Sequence, residues 1–231
     1  MVSTLFTLEI EYPIMTKKVA IILSGSGVFD GSEIHEAVMT FLSLEKNGLN
    51  YETYAPDIEQ AHVINHLTGQ PTEECRNVLV ESNRLTRGTT KDLSLLNVEE
   101  HDAVIFVGGF GAAKNLSTFA FDGPSYTVDE KIKNIIKAFH SNSKYIVAMC
   151  IAPMVVAKCI DAIELTIGND TQICEILESE LGHNHIEVTS TGSHVDEKSK
   201  VITTPAYMLA SNLKELEVGI NDAVLKLVER I

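Results

Sequence analysis

The chain has 231 residues, of which 18 are basic and 32 are acidic, so its formal net charge at pH 7 is −14. A charge of this sign repels nucleic-acid backbones and anionic lipid surfaces, which argues against binding to either. Hydrophobic residues make up 45% of the sequence, yet no apolar run reaches the roughly 18 residues that a membrane-spanning helix needs.

Short β-rich runs alternate with segments of helical periodicity, which predicts an α/β fold with a mostly parallel sheet. We interpret residues 1–14, which contain no Lys or Arg, as an extension that is not a leader, followed by a single domain over residues 15–231; an edge strand over residues 5–10 fits equally well. The predicted strands cover residues 18–23, 51–55, 103–107, 144–149, 164–167, 186–188, 194–196 and 200–203. The predicted helices cover residues 32–47, 73–83, 128–139, 151–160, 171–181 and 206–228. Residues 57–100 form an insertion that is either a lid or a dimer surface.

The loop after the first strand carries glycines and acidic residues. Its glycine spacing is GxGxxxG rather than the GxGxxG of dinucleotide-binding loops, and its carboxylates would repel a pyrophosphate. Glu33 has two compatible interpretations. With Asp30 as the N-cap of the next helix it completes a capping box. Alternatively, it is a carboxyl at the active edge of the sheet that hydrogen-bonds Cys150 and acts as a general acid and base.

A second loop, Gly108-Gly109-Phe110-Gly111, follows the strand predicted over residues 103–107. Adjacent glycines let the backbone approach a reacting group and present N–H groups to it. The amides of Gly109 and Phe110, together with that of Ile151, are therefore candidate donors to an oxyanion. A tight structural turn remains the alternative, and no Gly-Lys-Ser/Thr follows that would make it a phosphate loop.

Cys150 lies between a buried strand and a helix with a proline in its first turn. A thiol at this position faces the positive end of a helix dipole, which favours the thiolate and resembles a nucleophile elbow. A buried structural cysteine is the alternative. The other three cysteines (Cys75, Cys159 and Cys174) are interpreted as structural, and with no CxxC pair all four are expected to be reduced. Reduced thiols favour a cytoplasmic location, with the mitochondrion as the alternative.

Four motifs, at residues 23–37, 108–119, 150–153 and 201–209, resemble the PfpI superfamily of class I glutamine amidotransferase-like proteins. The similarity is greatest to its isoprenoid-biosynthesis glyoxalase branch, called ElbB-like. The resemblance implies a flavodoxin-like three-layer sandwich, a reactive cysteine at Cys150, a glutamate hydrogen-bonded to it at Glu33, and a homodimer. Some relatives use a Cys-His pair, but no histidine directly follows this elbow; His194 is the first candidate and His185 the second.

These residues predict a cofactor-independent and metal-independent glyoxalase-type lyase. Cys150 would add to a small aldehyde, glyoxal or methylglyoxal, and Glu33 would move a proton within the hemithioacetal to give a hydroxy acid. The alternative is a redox-responsive or partner-binding protein of the same fold, with an oxidisable Cys150 and little catalysis. Amidotransferase or protease activity is a third hypothesis, and it requires a histidine beside Cys150.

Overall fold

The computed structural model describes residues 17–231, so the predicted extension over residues 1–14 lies outside the described residues. The strands are β1 (Lys18–Ile22), β2 (Asn50–Ala55), β3 (Ile64–Asn65), β4 (Gln70–Pro71), β5 (Lys91–Asp92), β6 (Ala103–Phe106), β7 (Tyr145–Met149), β8 (Glu164–Leu165), β9 (Asn184–His185), β10 (His194–Asp196) and β11 (Val201–Thr204). The α-helices are α1 (Ile34–Lys46), α2 (Val78–Thr86), α3 (Phe110–Lys114), α4 (Phe119–Asp122), α5 (Glu130–Ser141), α6 (Pro153–Ala157), α7 (Thr171–Glu175) and α8 (Leu213–Val228).

Seven of these strands form one sheet in the order β10-β11-β7-β6-β1-β2-β5. Every pairing in this sheet is parallel except that of β10 with β11. Side chains alternate between its two faces. Val19 and Ile21 of β1 pack with α1 and α8, whereas Ala20 and Ile22 pack with α5 and α6 on the other side. The predicted α/β three-layer sandwich is therefore confirmed. Among the helices of residues 17–231, none combines the length and the apolar character that crossing a membrane would take.

Several element predictions were wrong at their boundaries because asparagine caps set the helix starts. The side chain of Asn77 accepts a hydrogen bond from Val80 N, and α2 consequently starts at Val78, five residues after the predicted start. Asn212 caps α8 in the same way, so the α-helix begins at Leu213 rather than at residue 206. The strand predicted over residues 164–167 is shorter, and the one predicted over residues 186–188 was misplaced, since β9 lies just before it at Asn184–His185. β8 and β9 pair with each other in a separate two-stranded sheet.

The insertion over residues 57–100 packs beside the ends of β1 and β6. Its hairpin β3–β4 is held to the first loop by a 2.6 Å hydrogen bond from Ile64 N to the carboxylate of Asp30. Ala61 N donates to the side chain of Asn115 at 2.9 Å. The parallel strands β1, β6 and β7 end at this same edge, so the loops that follow them converge there, as ligand sites of parallel sheets do.

Candidate functional site

Cys150 directly follows β7 and occupies a tight turn. Its backbone has φ +58°, a left-handed conformation that costs a non-glycine residue on the order of 1 kcal/mol or more and is concentrated at functional sites. The turn is fixed by a 3.0 Å hydrogen bond from Cys150 N to Thr204 O on the neighbouring strand. The residue is 9% exposed. The sequence thus delivers a thiol to the carboxyl edge of the sheet, as predicted for an elbow.

The carboxyl beside this thiol belongs to Glu36, and Glu33 is not the group that contacts it. Glu33 is the N-cap of α1, and its Oε2 accepts a 2.7 Å hydrogen bond from Glu36 N. The predicted N-cap, Asp30, instead binds Ile64 N. Since the helix begins three residues later than that cap implies, Glu36 takes the buried position facing the sheet. The prediction that Glu33 hydrogen-bonds Cys150 is therefore corrected, while capping by Glu33 itself is observed.

Glu36 is fully buried. Burial raises the pKa of its carboxyl to about 8, and the nearby charge of Glu33 adds to the rise, while polar contacts with Tyr207 N, the Cys150 thiol and Gly108 oppose it. Tyr207 N lies 3.3 Å from Oε1. Oε2 has no well-aligned partner among residues 17–231. This oxygen, which meets Cys150 at Gly108, is the carboxyl atom available to take a proton.

The pKa of the Cys150 thiol is raised, which corrects the predicted thiolate. Burial is the main cause and the Glu36 charge is the second; backbone N–H groups of Gly109 and Ile151 act in the opposite direction and lower it. The helix dipole contributes little because α6 begins at Pro153, three residues after the cysteine, and has five residues. The thiol therefore keeps its proton near neutral pH, and a reaction through sulfur needs a base in contact with it.

The backbone N–H groups of two of the three predicted oxyanion donors act on the sulfur and lower the pKa of the thiol. Gly109 has φ +96°, a conformation that favours glycine, and its N–H group acts on the thiol together with that of Ile151. The N–H group of Phe110 is not available, because it donates to Val28 O at 2.8 Å. The Phe110 side chain instead lines the adjoining cavity.

Gly108 is the point on which the thiol and the carboxyl converge. A Cβ atom at this position would overlap both Oε2 of Glu36 and Cβ of Cys150. The glycine therefore allows the two side chains to approach each other across the end of β6.

An apolar cavity of about 270 Å³ opens beside Cys150. Its apolar lining comes from six separate regions of the chain: Val28, Phe110 and Ala113, Phe119 and Ala120, Ile151, Ile173, and Met208. Asp170, the N-cap of α7, is the charged residue among the described residues that line it. A molecule in this cavity can reach the thiol while most of its surface contacts hydrocarbon.

Neither predicted histidine lines this cavity. His194 Nε2 lies 3.2 Å from Glu164, and His185 is in β9 of the small separate sheet. His35, which the sequence reasoning did not single out, contacts two residues that hydrogen-bond Glu36: its Nδ1 lies 2.8 Å from the Tyr207 hydroxyl and 3.7 Å from Glu33. Within residues 17–231 no histidine hydrogen-bonds the thiol, and no cluster of three metal-ligating side chains occurs.

Sequence reasoning missed Glu36, Tyr207 and Asp170. A signal for Glu36 was available: it shares one helical face with Ala37, Thr40 and Leu44, which are all buried in α1. The role of Tyr207 N could not be read from its side chain. Asp170 had a capping pattern ahead of residues 171–181, but the pattern does not indicate that the cap borders a cavity.

Comparisons with known proteins place the chain among proteins of related sequence. Human (Homo sapiens) glutamine amidotransferase-like class 1 domain-containing protein 3, mitochondrial, is 43% identical over 232 residues, covering 96% of this chain and 86% of that protein. The ES1 protein homolog, mitochondrial, of Rattus norvegicus is 44% identical over 222 residues, covering 92% and 83%. No family model matches the chain.

Solved structures also include proteins that are similar to this chain. An isoprenoid biosynthesis protein with an amidotransferase-like domain from Ehrlichia chaffeensis has a TM-score of 0.86 and 34% identity, covering 93% of this chain and 99% of that one. Glyoxalase III from Candida albicans has a TM-score of 0.58 with 15% identity, covering 91% and 97%. At that identity the second likeness concerns the fold alone.

Proposed function

Because this chain belongs to the family of glutamine amidotransferase-like class 1 (ES1) proteins, we propose that it is a cofactor-independent enzyme of the glyoxalase type that acts on 2-oxoaldehydes through Cys150. Family membership confirms the resemblance predicted from the motifs. Glyoxalase III has the same fold. The observation that carries the proposal is the Glu36 carboxyl, whose pKa is raised to about 8 beside the thiol. A base works best when its pKa is close to the working pH.

In the first step Glu36 replaces Glu33 in the predicted mechanism. The ionised Glu36 carboxylate takes the proton of the thiol as sulfur bonds to the aldehyde carbon, and the carbonyl electron pair moves to oxygen. The N–H groups of Gly109 and Ile151 face the sulfur and are the donors nearest to that oxygen. Glu36 then returns the proton to the oxygen, giving a hemithioacetal.

In the second step Glu36 removes the hydrogen on the former aldehyde carbon as a proton and returns it to the neighbouring carbonyl carbon. The hydroxyl proton of the hemithioacetal passes to the oxygen of that neighbouring carbonyl, so the former aldehyde carbon regains a C=O bond and its neighbour carries the hydroxyl group. The first carbon is oxidised and the second is reduced, so no external oxidant is needed. The product is a thioester of a 2-hydroxy acid on Cys150. Water hydrolyses it to glycolate or lactate and restores the thiol.

The test measures glyoxal and methylglyoxal consumption. We expect Cys150→Ser and Glu36→Gln to abolish turnover, and the wild-type kcat/KM to rise with pH through about 8 as Glu36 ionises. Cys159→Ser is the matched control, since Cys159 hydrogen-bonds Val155 O within its own helical turn, and it should retain activity. Wild-type turnover in Cys150→Ser, or its loss in Cys159→Ser alone, would overturn the mechanism.

The second candidate is a redox-responsive protein, and the Glu36 carboxyl beside the thiol is the observation that favours it. The curated relatives carry names without a stated reaction on aldehydes. A protonated Glu36 could donate a hydrogen bond to an oxygen added to the sulfur. Intact mass after mild peroxide treatment distinguishes the two: one or two oxygen atoms confined to Cys150, without aldehyde turnover, support this function.

Amidotransferase or protease activity has less support, because the described histidines do not contact the thiol that would need them. We place the protein in the mitochondrion, the predicted alternative to the cytoplasm, because the human and rat relatives are named as mitochondrial. Fractionation of cells expressing the full chain tests this location.

A further inference from the structure

The cavity beside Cys150 is larger and more apolar than glyoxal or methylglyoxal requires. We propose that its ligand is an uncharged carbonyl compound that carries a hydrocarbon chain of several carbons. This inference rests on the proposed function, because it takes Cys150 as the atom that meets the carbonyl group, and it names the substrate class of that same site.

The first argument is size. The cavity measures about 270 Å³, whereas a cavity of about 150 Å³ is enough to bind benzene, a molecule of six carbon atoms, so there is room for a ligand larger than that. A two- or three-carbon dicarbonyl compound would fill less than half of it. The rest would stay empty or hold water against hydrocarbon walls, and neither arrangement contributes to binding.

The second argument is the chemistry of the walls. Phe110 and Ala113 form one side, Phe119 the next, and Ile173 and Met208 lie on the segments that follow β8 and β11. These side chains offer no hydrogen bonds to a polar ligand. They do favour binding of a chain of methylene groups, because each buried methylene adds to the binding free energy through the hydrophobic effect.

The third argument is charge. No Lys, Arg or His lines the cavity within the described residues, and its charged lining residue is the acidic Asp170. Glu33 and Glu36 lie just behind the thiol. A carboxylate or phosphate on the ligand would therefore lose its hydration without gaining a counter-charge. The ligand is uncharged for this reason, and the cavity selects against acidic metabolites of the same length.

A hydrocarbon chain would also help the reaction. Contacts remote from the reacting carbon hold the carbonyl group against sulfur and the Glu36 carboxyl, so that binding energy is used for orientation. The bond changes are those of the proposed mechanism and do not depend on chain length. Selectivity then arises from the walls rather than from the groups at the elbow.

The test compares 2-oxoaldehydes with chains from three to eight carbons, together with eight-carbon analogues that end in a carboxylate. We expect kcat/KM to rise about fourfold per methylene until the cavity is full, as burial of a methylene implies, and the carboxylate to cancel that gain. Turnover that is equal for methylglyoxal and 2-oxooctanal, or equal for the neutral and carboxylate forms, overturns the inference and leaves the proposed function standing.

Two further measurements separate failure of the inference from failure of the enzyme. Ala120→Phe should lower the ratio of 2-oxooctanal to methylglyoxal turnover at least tenfold, because Ala120 is an exposed wall residue; Ser125→Phe, outside the lining, should leave the ratio unchanged. Octan-2-one should slow alkylation of Cys150 whereas acetone does not. That protection without any turnover supports the inference and overturns the proposed function; no protection by octan-2-one overturns the inference.

Discussion

The carboxyl of Glu36 and the thiol of Cys150 titrate as a pair. Beyond the effect of burial, the Glu36 charge raises the pKa of the thiol, and the thiol lowers that of the carboxyl. A first proton leaving the pair therefore creates one negative charge that makes the second proton harder to remove.

The first prediction concerns thiol reactivity. Glu36→Gln removes the charge that opposes the thiolate, so the pKa of Cys150 should fall and its alkylation should accelerate at a given pH, even though turnover is lost. Iodoacetamide rates measured from pH 6 to pH 10 test this, with Glu217→Gln on the surface of α8 as the control. A thiol pKa that rises or stays constant in Glu36→Gln would contradict the coupling.

The second prediction concerns stability against pH. Folding raises the pKa of Glu36 from 4.5 to about 8, so the folded state holds a proton that the unfolded chain releases. Its stabilising effect is full below pH 4.5 and is lost as pH rises through about 8. The side chain introduced by Glu36→Gln stays neutral at every pH. The free energy of unfolding of this variant, relative to that of the wild type, should therefore increase by a few kcal/mol between pH 5 and pH 8.5, at about 1.4 kcal/mol per pKa unit. Urea unfolding at pH 5 and pH 8.5 measures this; parallel changes in the two proteins would contradict it.

The third prediction separates the two glutamates. Glu33→Gln keeps an oxygen able to cap α1 but removes the charge that raises the pKa of Glu36. The rising limb of kcat/KM should move to lower pH, with loss of stability below about 1 kcal/mol. Complete loss of activity, as expected if Glu33 were the acid and base, would restore the original assignment.

The fourth prediction concerns Gly108. An added methyl group would overlap Glu36 and Cys150, so Gly108→Ala should destabilise the fold by about 1–3 kcal/mol, as overpacking does, and alter the alkylation rate of the thiol. Gly192→Ala is the control, because a Cβ there meets neighbours at 3.4 Å or more. Equal melting temperatures for the two variants would show that the site tolerates separation of its two groups.

The fifth prediction concerns assembly. Ile34, Val38 and Leu42 are exposed along one face of α1, and a row of apolar side chains is typical of interaction surfaces. If the expected homodimer uses this face, sedimentation should show a dimer for wild type and a monomer for Val38→Glu. Val80→Glu, an exposed position on α2, should remain a dimer. A monomeric wild-type protein would remove the expectation.

The same helix shows how far the sequence could predict the site. The positions of Cys150 and Gly109 follow from strand-turn patterns that are local in the chain, and both were predicted. The choice between Glu33 and Glu36 depends on where α1 begins. A start three residues earlier makes Glu33 a helical residue, whereas in the structure Glu33 is the N-cap and Glu36 is the buried residue of the first turn. Residue type alone does not identify the buried face of α1, since Ile34 and Val38 are exposed while Glu36 and Thr40 are buried.

The direction in which the thiol pKa is shifted could not be predicted from the residues next to Cys150 in the sequence. A cysteine ahead of a helix predicts a thiolate, but the sign is decided by burial, which depends on β11, on α1 and on the chain around Met208. These segments are distant from Cys150 in sequence. The apolar cavity is likewise assembled from residues scattered between Val28 and Met208, so its volume and lining could only be read from the fold.

Two parts of the cavity differ in how deeply their supporting elements are buried: the floor, formed by Cys150 and Gly109, and the rim, formed by α4 and α7. Cys150 and Gly109 extend from β7 and β6, whose residues are all buried, whereas α4 and α7 contain no buried residue. Amide hydrogens of the floor should therefore exchange only through global opening of the protein, and those of the rim through small local fluctuations. Local fluctuations of α4 and α7 can therefore widen the entrance for ligands of different size, while the distances between the reacting atoms stay the same.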